Sequence, residues 1–290
     1  MSWLQNRSVR LIGRTLAQIL YLARLGITIE GIGNNLLRFF EVAGGGITLF
    51  FQTLLQLPRP PYRLREILRQ ALNVGWQSLP LIAVVLGFLG MITVLELNFQ
   101  LSRVIHSIEY VPGVYGVVMF REFGPTVVAC MIAAKVGAGF TAELASMKNT
   151  EQIDALELLS VNPVHYLVVP RFVATVAMQV ALSVIGVTMA FVTGFLVSQP
   201  RFNFQSYLTA MSHFVRVEDF INLLSKALLL GAVVPIVSCY YGFHSASGAK
   251  GVGDATTKAV VTSILVIIIL DFTISVFADK LLGIVIQWTA

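Results

Sequence analysis

Four ionisable side chains, Arg121, Glu122, Lys226 and Asp271, stand inside stretches of sequence that are otherwise apolar, and Lys135 interrupts the same stretch as the first two. A charge in hydrocarbon is costly, about 2.5–3.5 kcal/mol for Arg, Lys or Asp at mid-layer on the insertion scale. Such residues face a bundle interior, pair with one another, or line a polar pathway. Two cations and two anions allow neutralisation as Arg121 with Glu122 and Lys226 with Asp271, which would hold a helix bundle together. They also allow an ion relay. A guanidinium so placed can offer bidentate hydrogen bonds to a phosphate.

A second pattern lies between Asn149 and Pro163. Glu151, Asp154 and Glu157 recur every three residues, with Ile153, Leu156 and Leu159 beside them. That spacing predicts a helix with one acidic and one apolar stripe. Asn149 is the expected N-cap, Gln152 three residues on approximates a capping box, and Pro163 ends the helix. A solvated loop helix has the same pattern. An acidic stripe nevertheless suits an anionic lipid leaflet poorly and a protein partner well.

Other motifs carry less. Gly248-Ala-Lys-Gly-Val-Gly253 lacks the Gly-Lys-Ser/Thr ending of a phosphate loop, and no strand precedes it. Gly137-Ala-Gly139 reads as close helix packing through small residues. The four histidines are dispersed, and Cys130 and Cys239 each sit in an apolar run, so no metal ligand set is assigned. No catalytic constellation stands out, and the chain has no visible means of hydrolysing ATP. Any ATP and magnesium would be held by a separate subunit.

The elements that must position these groups are transmembrane helices. The chain is 56% hydrophobic and 12% charged, against about 25% charged in soluble domains, so lipid is its solvent. Five segments are long enough to span: about 73–95, 112–142, 166–198, 219–245 and 256–282. Residues 3–40 mix apolar positions with Arg and Glu at helical intervals, as an interfacial amphipathic helix does. The uncharged run 42–57 is too short to span and has Arg clusters on both sides, so it is expected to be interfacial or re-entrant. Pro58, Pro60 and Pro61 then interrupt the chain.

The fold class is therefore an all-α polytopic membrane protein. Residues 1–72 form an N-terminal interfacial region and residues 73–290 a five-span domain. The net charge of +5 comes with nine arginines among the first 69 residues. This is the bias of a cytoplasmic N-terminus rather than of a nucleic-acid surface. It places the loops near 143–165 and 246–255 in the cytoplasm and those near 98–111 and 199–218 on the far side.

Arg121-Glu-Phe-Gly-Pro125, Ala142-Glu-Leu-Ala-Ser-Met147, Thr150-Glu-Gln-Ile-Asp-Ala-Leu156, Val168-Val-Pro-Arg171, Gly248-Ala-Lys-Gly-Val-Gly253 and Asp271-Phe272 resemble the MlaE family of permeases. The resemblance runs from about residue 73 to 279. It implies two permease copies, two cytoplasmic ATPase subunits and an MCE-domain lipid-binding partner beyond the membrane, with phospholipids or related polar lipids as substrate. The setting it implies is a bacterial inner membrane or, alternatively, the plastid inner envelope. It further implies that the helix after span two, with Glu151, Gln152, Asp154, Ala155, Leu156 and Glu157, couples to the ATPase. Arg121 then becomes the expected headgroup ligand, with Glu122 holding it or keeping binding reversible. Lys226 and Asp271 become a paired support. An ion-coupled secondary transporter is the rival reading, because the same four charges would serve a relay.

Overall fold

The computed structural model describes residues 41–58, 60, 63–104, 109–199 and 202–289. The expected amphipathic helix over residues 3–40 lies outside the described residues. By internal contacts the chain divides into two units, residues 1–48 and 49–290. In the described part of the first unit, residues 41–48 are helical, and the Thr48 hydroxyl donates to the Gly44 carbonyl at 2.8 Å. We label the helix over residues 41–56 α1.

The second unit is all helix among the described residues, and five of its segments are long and apolar enough to cross a membrane. The first is α2 (Leu64–Val104), which starts well before the expected residue 73. The second runs from Val111 to Asn149 as α3 (Val111–Val118), a π turn (Met119–Phe123), α4 (Gly124–Ile132), a second π turn (Ala133–Gly137) and α5 (Ala138–Asn149). A short helix, α6 (Gln152–Leu158), follows. The third span joins a π turn (Val164–Val168) to α7 (Val169–Ser198). The fourth is α9 (Val217–Phe243), and the fifth lies in α10 (Gly248–Thr289). Helices suit this role because each closes its own backbone hydrogen bonds, which lipid cannot do for it.

Between spans three and four, where a loop was expected, lies α8 (Phe204–Phe214). Asn203 caps it by accepting from the Phe204 amide at 2.7 Å. Its Tyr207 is buried, and burial pushes the Tyr207 phenol up, keeping it neutral. The expected loop at 246–255 is also mostly helix. Gly248, at φ +88°, turns the chain directly into α10, a conformation that glycine reaches without Cβ strain.

The core forms where α2, α7 and α9 enclose the second span, with Leu86, Val128, Ile132, Leu182 and Leu230 buried at the centre. A Cβ on Gly90 would stand 2.6 Å from the Ala190 carbonyl oxygen, so only glycine allows α2 and α7 to approach this closely. The Tyr115 hydroxyl donates to that same carbonyl at 2.6 Å. Trp76, Phe88, Ile92, Ile268 and Phe272 lie exposed on the periphery, as expected of side chains that face lipid.

Candidate functional site

The first π turn and the proline after it create the site. Pro125 has no N–H, so it cannot donate to the Arg121 carbonyl one turn back. That carbonyl instead accepts from the Lys226 ammonium of α9 at 2.7 Å. The extra residue of the π turn also changes the direction in which the side chains of Arg121 and Glu122 leave the helix.

Lys226 is fully buried. Besides the Arg121 carbonyl, its ammonium donates to Glu122 Oε2 at 3.0 Å and to Ser275 Oγ at 2.7 Å. Those three bonds use all three donors of an ammonium group. Asp271 Oδ1 lies 3.0 Å from the same nitrogen, yet it receives no aligned hydrogen bond. Its contact with Lys226 is Coulombic only. Ser275 closes the cluster, its single hydroxyl proton within reach of Glu122 Oε1 at 3.1 Å and of the Asp271 carbonyl at 3.0 Å.

Arg121 does not pair with Glu122. Its Nε donates to Asp219 Oδ1 at 2.5 Å. Asp219 Oδ2 meanwhile accepts from the Arg216 amide at 2.9 Å, capping the first turn of α9. One carboxylate thus anchors both the helix start and the guanidinium. The two separate pairs expected from the sequence are in fact one cluster of two cations and three carboxylates. The cluster lies toward the start of α9, at the end of the bundle away from α6. Arg121 remains about one-third exposed, its side chain at 30%.

Asp219 and Ser275 were missed at the sequence level. Asp219 had a readable signal, as an acidic residue in the first turn of a span. Ser275 follows Asp271 by one helical turn. A further ion pair was also missed: the buried Arg171 guanidinium meets Glu143 at 2.8 Å and donates to the Leu167 carbonyl at 2.9 Å. Both residues sit in motifs quoted above, but neither was read as a charge within the helices.

At the opposite end of the bundle, α6 departs from expectation in detail. Asn149 is the last residue of α5 and does not cap α6. The N-cap is Glu151, in the left-handed region at φ 56° and without a side-chain cap. The helix ends at Leu158, well before Pro163, and Ser160 again has φ 56°. Gln152, Asp154, Ala155 and Glu157 are exposed. Of the expected apolar stripe only Ile153 is buried. Leu156 is half-buried and Leu159 points outward together with Leu158, the two being 73% and 87% exposed. Lys148 ties the α5 end to the bundle by donating to the Ser245 carbonyl at 2.9 Å.

The profile of the family described as Permease MlaE matches residues 67–277. A probable ABC transporter permease protein of Rickettsia felis is 37% identical over 248 residues, covering 85% of this chain and 95% of the relative. One of Synechocystis is 32% identical over 248 residues, covering 85% and 94%. One of Pyropia yezoensis is 32% identical over 239 residues, covering 82% and 90%.

Proposed function

The chain belongs to the MlaE permease family, and on that premise we propose that it is the membrane subunit of an ABC-type lipid transporter. It moves phospholipids or related polar lipids between the membrane and an MCE-domain partner. Two copies assemble in a bacterial inner membrane or, as the alternative setting, a plastid inner envelope. A separate ATPase subunit that binds ATP and magnesium docks on α6 and drives the cycle. The chain itself carries out no catalysis.

The observation that carries the lipid reading is Arg121. It is a guanidinium within an apolar span, held by Asp219 and still partly exposed. A lipid carrier needs an apolar environment for acyl chains and one well-oriented cation for an anionic headgroup. The ion-coupled alternative gains little from the same cluster. Lys226 is saturated by the Arg121 carbonyl, Glu122 and Ser275, and a relay needs a group free to exchange its proton.

The test is Arg121→Ala in the assembled complex. Co-purified phospholipid and lipid transport should both fall while subunit composition stays unchanged. Normal lipid content with normal transport would remove Arg121 from headgroup binding and leave the cluster as a structural clamp.

A further inference from the structure

A second polar feature lies at the α6 end of the bundle, away from the charge cluster. A cleft of about 270 Å³ opens between the first half of α2 and the last half of span two. On α2 it is lined by Arg69, Gln70, Asn73 and Gln77, which follow one another at helical spacing along one face. On span two it is lined by Lys135, Gly139 and Glu143, each four residues from the next. Water occupies about 30 Å³ per molecule, so the cleft has room for several waters or for one phosphodiester group.

The charges in this cleft are unequally satisfied. Glu143 is engaged by the buried Arg171 at 2.8 Å. Glu66, at the mouth, accepts from Gln70 at 3.0 Å and lies 4.0 Å from Arg69. Lys135 has no carboxylate within ion-pair distance among the described residues. Among the described residues its ammonium donates only to the Gln77 backbone carbonyl of α2. Lys135 lies in the second π turn, about 20 Å along the helix from the end of α5. Its side chain is exposed, so an anion entering the cleft can reach the ammonium. A lysine present only to cap a carbonyl would not account for the row of amide side chains opening onto the same space.

We infer that this cleft receives the phosphate group of a phospholipid entering sideways from the leaflet on the α6 side, with Lys135 as its counter-ion. The amides of Gln70, Asn73 and Gln77 supply neutral hydrogen bonds, and Arg69 attracts the headgroup at the rim. The site is separate from Arg121. On the lipid-transport reading, on which this inference rests, the cleft is a loading position and the Arg121 cluster a later one. The shared chemistry is that of a phosphate group, which free inorganic phosphate would also present.

The experiment places a thiol in the cleft. A Cβ on Gly139 meets no heavy atom within 4 Å, so Gly139→Cys, combined with Cys130→Ser, fits without displacing a neighbour. The full chain is reconstituted in nanodiscs of digalactosyldiacylglycerol, which carries no phosphate. Uncharged N-ethylmaleimide then reads the reactivity of the introduced thiol. Adding phosphatidylglycerol should slow modification by about tenfold, the order that one charge-assisted hydrogen bond supplies. Lys135→Gln should abolish that protection and Lys135→Arg should retain it, with size-exclusion profiles confirming that both variants fold.

Equal protection with Lys135→Gln would overturn the assignment. So would equal protection by millimolar inorganic phosphate without phosphatidylglycerol, which would make the cleft a free-anion site. Neither readout depends on transport. A complex that moves phospholipid but shows no Lys135-dependent protection overturns the cleft alone, and an unchanged Arg121→Ala complex overturns the headgroup role of Arg121 alone.

Discussion

Lys226 is the residue on which the central cluster depends. Its ammonium has no solvent contact, and it answers a backbone carbonyl, a carboxylate and a hydroxyl at once while standing 3.0 Å from a second carboxylate. Removing one partner of a buried ion pair costs about 3–5 kcal/mol, because the other charge is left uncompensated. Lys226→Met is therefore expected to lower sharply the yield of monodisperse protein in detergent-phase size exclusion. A pairwise view would have Asp271→Asn repair that loss. With Glu122 also on the ammonium, adding Asp271→Asn should restore only part of the yield, and adding Glu122→Gln as well should restore more. Wild-type yield from Lys226→Met alone would show that the cluster contributes little to folding.

At the scale of elements, α6 and the π turns set which polar side chains face outward and which meet inside the bundle. The π turns adjoin or contain Arg121, Glu122, Lys135 and His165. Two of them carry a cation within span two. The short α6 is tied down by Ile153 and by the Lys148 bond to Ser245, and it turns its acidic residues and two leucines outward. Exposed leucines beside carboxylates fit the core and rim of a protein interface. Reversing the rim with Asp154→Lys and Glu157→Lys should weaken ATPase association by at least about tenfold in a pull-down while leaving membrane insertion intact. Unchanged ATPase recovery from that variant would remove α6 from the docking surface.

At the scale of the molecule, the described helices present apolar side chains around the periphery, with polar groups gathered at the Arg121 cluster, in the Lys135 cleft and on α6. Small residues in span two allow close helix approach, within one protomer or between two copies, and they divide. Ala133 and Gly137 are buried, and a Cβ on Gly137 would stand 2.8 Å from Ser238 Oγ of α9, so these two serve packing within the protomer. Ala134 is exposed and is free to meet a second copy, whereas Gly139 opens onto the Lys135 cleft. Single cysteines introduced along the exposed faces of the five spans, in a background lacking Cys130 and Cys239, should trap a homodimer in native membranes at a contiguous set of positions. Monomer alone across the whole scan would count against two permease copies.

The sequence by itself determined the five spans and the family. Apolar run length is a local property, and in lipid a helix closes its own hydrogen bonds without help from elsewhere in the chain. It also picked out Arg121, Glu122, Lys226 and Asp271, because a charge in an apolar run is conspicuous wherever the run packs. The partners of those charges were a different matter. Asp219 reaches Arg121 across 98 residues and Lys226 reaches Glu122 across 104, distances that only helix packing spans. The π turns were equally hidden, since one extra residue in a turn leaves no mark on composition yet changes which side chains share a face. At α6, Asn149 was the expected cap, but α5 continues through Asn149 and Glu151 takes the N-cap position, which only the folded chain decided. That Lys135 has no carboxylate partner among the described residues emerged last. It depends on where every nearby carboxylate is engaged, and that is known only once the whole bundle is assembled.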